Sequence, residues 1–287
     1  MRKRKLLIWL AVMAMGIMAG CSGEGAAGDS LAEITEQKET NAPEEILVAV
    51  AASLKNVYEE KLIPMFEMQH PGVKVKGTYD SSGKLQAQIE EGLEADVFMP
   101  AAKKPMEALE EGGRIASETV VNLLENKIVL IVPSGDEGKM ASFEDIRKAE
   151  IIALGDPASV PAGQYAREAL INLGLWEEIQ GRVSLGTNVT EVLNQVAAGS
   201  AAAGIVYATD AAGMEEQVEM VAEAPKGSLS DRVIYPVAVI EHSTHKKTAE
   251  SFVEFLKTKE ALAVFEEYGF SRFGTHGKAI TGSLPAC

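Results

Sequence analysis

The run GTYDSSGKL, Gly77 to Leu85, sets two serines, two glycines and a lysine where an extended segment gives way to a helix. That composition suits an oxyanion, because helix-start amides and hydroxyls point free donors outward. A nucleotide phosphate loop needs four residues between its first glycine and the Gly-Lys pair, followed by Ser or Thr for magnesium. Here five residues separate Gly77 from Gly83, and Leu85 follows Lys84. The spacing and the missing hydroxyl exclude the nucleotide reading and leave a smaller anion.

Three further positions have the same character. Ser53 ends the apolar run ILVAVAAS, Ala162-Gly163 follow Pro161 at a helix start, and Val189 opens a helix after VSLGTN. Together with Ser82 they predict four helix N-termini that could face one anion. Each terminus is worth roughly 0.3–1 kcal/mol when exposed and more when partly buried, so four could hold an anion without Lys or Arg.

Other chemistries find no support. His70, His242, His245 and His276 are scattered, and the pair His242 and His245 has no third ligand, so no bare metal ion is expected. Glu59-Glu60 and Glu90-Glu91 lie on helices and read as solvated faces. A surface phosphatase would need a nucleophile–base pair or a metal cluster, and none stands out.

The elements that must position these residues alternate. Short apolar runs such as ENKIVLIVPS, IIALGDP and AGIVYATD are separated by amphipathic segments, which predicts an α/β body with mostly parallel sheets. LKNVYEEKLIPMFEMQHPG reads as a helix with Val57, Leu62, Met65 and Phe66 on its inner side.

The N-terminus fixes a destination. Arg2 to Lys5 form a positive cluster, Leu6 to Met18 an apolar run, and Ala19-Gly20-Cys21 a small-residue ending, so 1–20 reads as a secretory signal. The ending resembles a lipoprotein box, in which Cys21 would be lipidated and anchor the chain outside the cytoplasm at the cell membrane. Residues 21–45 are small, acidic and polar and read as a flexible tether. Cys287 is the only other cysteine, so no disulfide is expected in the mature chain. Removing the four basic residues of the signal takes the formal charge from −15 to −19, which argues against nucleic acid as a partner.

AVAASLKNV (Ala49 to Val57), SSGKLQAQIEEGLEADVF (Ser81 to Phe98), GDPASVPAGQYAREAL (Gly155 to Leu170), GIVYATDA, YPVAVIE and FEEYGF resemble, in order, the periplasmic molybdate-binding proteins of ABC transporters, the ModA family. The resemblance runs from Ile46 to Phe270. It implies a type II periplasmic-binding-protein fold with two lobes, a doubly crossing hinge, and a monomer that hands its cargo to an ABC permease. It implies no catalysis and no cofactor. Lobe one would comprise 46–124 plus 234–287 and lobe two 125–233, with the hinge near Leu123–Lys127 and Val233–Pro236.

By motif, the ligand set for molybdate or tungstate would be the Ser53 and Ser82 hydroxyls, the Ala162 and Val189 amides and the Tyr207 phenol. Donors alone suit an unprotonated oxyanion. Sulfate or phosphate remain alternative cargoes. Ser82→Ala is expected to weaken molybdate binding and leave the melting temperature of the ligand-free protein nearly unchanged. Two departures stand out: Pro100-Ala101-Ala102 replaces the family's usual Ser-Ala-Asp, and Lys55 and Lys84 near the serines read as solvated helix-face residues.

Overall fold

The computed structural model describes residues 43–274. The signal segment, Cys21, His276 and Cys287 lie outside the described residues. So does the tether up to residue 42, but its last two residues belong to the fold: Glu44 and Glu45 begin the first strand, paired with Val73 and Lys74. Their side chains are exposed, which is why they read as linker, while their backbones are held in a ladder.

In chain order the strands are β1 (Glu44–Ala51), β2 (Val73–Asp80), β3 (Val97–Met99), β4 (Val121–Asn126), β5 (Ile128–Pro133), β6 (Ile152–Gly155), β7 (Val183–Gly186), β8 (Ala203–Tyr207), β9 (Val218–Glu223), β10 (Val233–Val239) and β11 (Ser271–Arg272). The α-helices are α1 (Lys55–Val57), α2 (Ile63–Gln69), α3 (Ser82–Glu90), α4 (Lys103–Glu111), α5 (Pro161–Asn172), α6 (Trp176–Ile179), α7 (Val189–Ala197), α8 (Ala208–Ala212), α9 (Lys246–Leu256) and α10 (Lys259–Glu267). A six-stranded sheet has the order β11-β4-β10-β3-β1-β2, and a five-stranded sheet the order β7-β6-β8-β5-β9. Both belong to one compact unit, Asn41–Cys287.

The sequence pattern predicts mostly parallel sheets, and here the structure differs: both sheets are mixed. β1 is parallel to β2 and β3, and β6 to β7 and β8, each linked through helical crossovers. β10 runs antiparallel to β3 and β4, β11 to β4, and β5 to β8 and β9. Continuous apolar runs reveal buried strands without revealing their direction. The antiparallel pairs gather where the chain passes between the sheets. It leaves β4 and enters β5 with Lys127 alone between them, then returns from β9 through residues 224–232 to β10. Asn126 and Val233 are register partners, so the two crossings lie side by side. Glu125 and Asn126 stand in β4, which carries the first sheet two residues beyond Leu124.

Helix placement follows from local chemistry. From Ala52 to Gln69 the chain is helical with a change of gauge: a 3-10 turn, α1, a π-helical turn at Tyr58–Leu62, then α2. Pro64 lacks an N–H and crowds the turn before it, and the widened turn accommodates that. Tyr58 is buried there and donates its hydroxyl to the Met99 sulfur at 2.9 Å. α5 begins with Pro161, which has no amide to waste at a helix start. It packs so close to β6 that a Cβ on Gly163 would lie 1.9 Å from the Gly155 carbonyl oxygen. Only glycine permits that approach, and it brings the start of α5 to the end of β6.

Candidate functional site

Four helix starts meet at one cavity. The first sheet supplies the Ala51–Ser53 turn after β1, the Asp80–Ser82 entry into α3, and Ala101 just past β3; the second supplies Val160–Ala162, Val189 and Tyr207. The space is tight, leaving about 10 Å³ in which the centre of a water-sized group can sit. Roomier clefts, such as the one along Arg167, Trp176 and Leu185, open to solvent on the outer surface and lack this convergence.

Ser82 and Val189 are the first residues of their helices and Ala162 the second, where amides have no intrahelical acceptor. In α7 the Asn188 side chain accepts from the Glu191 amide, and Glu191 reaches back to the Thr187 amide at 2.7 Å. This capping box uses its neighbours and spares the Val189 amide.

The hydroxyls are oriented by what they already accept. Ser82 Oγ accepts from the Ala101 amide at 2.9 Å, so its own proton remains to be given. Ser53 Oγ sits 3.2 Å from Tyr235 Oη. Behind it, Lys127 N donates to Asn126 Oδ1 at 2.8 Å, which turns Asn126 Nδ2 toward Tyr235 Oη at 3.2 Å and Thr209 Oγ1 at 2.9 Å. Tyr235 accepts from Asn126, and its hydroxyl contact with Ser53 joins this network to the cavity. The relay starts at the Asn126–Lys127 crossing and ends in the site.

Contacts also bridge the sheets. Gly83 N donates to the Ser159 carbonyl at 2.9 Å, and Tyr207 Oη donates to the Ala101 carbonyl at 3.3 Å. Burial pushes the Tyr207 and Tyr235 phenols well above their ordinary range, so both remain protonated donors. Charge stays at the rim. Lys84 pairs with Asp80 at 3.3 Å, and Asp80 also accepts from the Ser81 amide. Glu191 at the start of α7 is held below the usual carboxylate range, first by the Thr187 amide and in smaller part by Lys84. The lysine of GTYDSSGKL is thus occupied by Asp80, a carboxylate that itself lines the cavity.

The profile of the bacterial extracellular solute-binding proteins matches residues 46–271. The chain belongs to that family. Among relatives of this solute-binding protein, YvgL of Bacillus subtilis, provisionally named as an ABC transporter substrate-binding lipoprotein, is 35% identical over 94% of this chain and 99% of its own. The molybdate-binding protein ModA of Haemophilus influenzae is 36% identical over 79% of this chain and 89% of its own. The periplasmic molybdate-binding protein of Azotobacter vinelandii superposes with a TM-score of 0.66 at 23% identity, covering 78% of this chain and 98% of that one, and so shares the fold. The solute-binding protein is accordingly a two-lobed α/β protein of the type II class, and its family holds solutes without transforming them.

All five residues singled out in the sequence line the one cavity: Ser53, Ser82, Ala162, Val189 and Tyr207. The phenol of Tyr207 reaches across to the Ala101 main-chain carbonyl, a contact that no motif signals. Sequence reasoning missed Asn126, Tyr235 and Ser81. Tyr235 stands inside the YPVAVIE motif, which was a usable signal, whereas Asn126 becomes visible only once β4 and β10 are paired.

Behind the site of this solute-binding protein lies a half-buried acid. Asp210, in α8, has Oδ2 sealed from solvent with no hydrogen-bond partner. Burial raises its pKa from 3.8 to about 7, with a backbone hydrogen bond at Tyr207 acting in the other direction. An acid raised on folding is protonated in the native state while the unfolded chain ionises, so stability falls as pH rises from about 4 and the loss is complete above about 7. Asp210→Asn should therefore melt higher than the parent at pH 8 and nearly level with it at pH 4. Scanning calorimetry across that range checks this, and an unchanged pH slope in the variant would assign the titration elsewhere.

Proposed function

We propose that this chain is the molybdate-binding component of an ABC import system, with tungstate accepted by the same donors. The observation that carries the reading is the convergence of four helix starts, two from each sheet, on a cavity rich in donors whose one carboxylate, Asp80, is paired with Lys84, in a chain whose relatives include ModA proteins. Each sheet with its helices acts as a lobe, and the paired crossings near Asn126–Lys127 and Val233 act as the hinge. Ser53 and Ser82 come from one lobe and Ala162, Val189 and Tyr207 from the other, so an oxyanion bound to all five favours the closed arrangement, the Tyr207 proton turning from the Ala101 carbonyl to the anion.

Molybdate is an acceptor on every side and carries no proton at neutral pH, which matches a wall of hydroxyls and amides. Hydrogen phosphate brings a donor that such a wall leaves unpaired, and sulfate is too small to reach all the donors at once. The protein works as a monomer, anchored through lipidated Cys21 on the outer face of the cell membrane, and delivers the ion to its permease.

Titration calorimetry with molybdate, tungstate, sulfate and phosphate tests the reading. Molybdate and tungstate should bind with similar affinity and sulfate at least about a hundredfold more weakly, since one or two unmade charge-assisted bonds are worth that much. Sulfate binding as tightly as molybdate would overturn the assignment.

A further inference from the structure

We infer that Ser81 gives the bound oxyanion a further hydroxyl donor, an inference that rests on the oxyanion reading above. Ser81 lines the cavity beside Ser82 and is 4% exposed. Its Oγ is sealed from solvent and has no hydrogen-bond partner.

The ordinary job of a serine here is excluded. Ser81 is the N-cap of α3, with extended backbone at φ −63° and ψ 145°, yet its side chain makes no capping hydrogen bond. Its main chain is fully used: the amide donates to Asp80 Oδ1 at 2.7 Å, and the carbonyl accepts from Leu85 N at 3.0 Å. The hydroxyl is the one part of the residue without a task. A buried hydroxyl left unpaired is worse than an alanine in its place, so a serine here needs a partner. The neighbouring protein groups are already committed. The Ala101 amide is taken by Ser82, and the Lys84 ammonium is turned to Asp80. What remains in front of Ser81 is the cavity, whose occupant, a tetrahedral anion, is rich in acceptors.

The contrast with its neighbours sharpens the point. Ser53 and Ser82 are each oriented by a second-layer partner, Tyr235 and the Ala101 amide. Ser81 has no such support and is oriented by the ligand itself. Its hydroxyl therefore adds affinity without adding to the stability of the ligand-free protein.

Full-length protein and its Ser81→Ala variant would be titrated calorimetrically with sodium molybdate, and both melted without ligand. The expected result is binding about tenfold weaker in the variant, the scale of one hydrogen bond to a charged partner, with a ligand-free melting temperature equal to the parent's or slightly higher. Equal affinities would overturn the role of Ser81. So would a ligand-free melting temperature several degrees lower, which would make the hydroxyl structural. Failure of the parent itself to bind molybdate is a separate outcome that overturns the oxyanion reading.

Discussion

Gly83→Ala is expected to weaken molybdate binding by roughly tenfold to a hundredfold while the ligand-free protein stays as stable as the parent or gains slightly. An added Cβ would lie 2.6 Å from the Ser159 carbonyl oxygen and 2.8 Å from its Cα, both main-chain atoms of the opposite lobe. Neither can swing aside as a side-chain tip would. The lobes must then hold apart by several tenths of an ångström, and the Gly83–Ser159 hydrogen bond of 2.9 Å is stretched with them. Overpacking of this kind costs about 1–3 kcal/mol, and every 1.4 kcal/mol is a factor of ten. The cost falls on the contact with Ser159, whereas within α3 itself alanine is the better helix former. Calorimetric titration and melting of the same variant separate these effects. A drop in stability with affinity intact would mean that the contact belongs to the fold and not to closure.

Ser82→Ala should damage both properties at once. The sequence alone leads to an expectation of weaker binding and unchanged melting. The structure alters the second half, because Ser82 Oγ is the acceptor for the buried Ala101 amide at 2.9 Å. Alanine removes a ligand donor and also strands that N–H. A hydrogen bond to a charged partner is worth about 1.5–3 kcal/mol, so affinity should fall by roughly tenfold to a hundredfold. A stranded buried amide costs about 1–3 kcal/mol, which in a chain of this size lowers the melting temperature by roughly 2–10 °C. The pair of measurements is the check: weaker binding with unchanged melting would show that water takes over the role of acceptor for Ala101. Because Ser82→Ala mixes two losses, Ser81→Ala is the cleaner probe of the anion contacts.

Ser53, Ser82, Ala162 and Val189 could be picked out from the sequence for a local reason. Each stands where an apolar run or a turn meets a helix, and a helix start exposes amides whatever fold surrounds it. The VPAG segment likewise shows its geometry in its letters, since proline fits the first helical position and the glycine after Ala162 marks a close approach. Family motifs added Tyr207 and placed all five residues in one site.

Strand direction, the working state of each donor and the seams between lobes were not readable that way. The mixed sheets depend on how β4, β5, β9 and β10 pair around the two crossings, which is a matter of contacts between residues up to 116 positions apart, as between Val237 and Val121. Ser53 is held by Tyr235, and Tyr235 by Asn126, which no spacing rule links to it. Lys84 reads from the sequence as a solvated helix-face residue, and its pairing with Asp80 comes only with the fold. The sequence by itself determined which backbone ends and hydroxyls could face an oxyanion, because helix initiation is local chemistry. The tertiary structure decided which donors are free, which atoms meet across the cleft and which hydroxyl lacks a partner, because each of those depends on groups brought together only by the packing of two sheets.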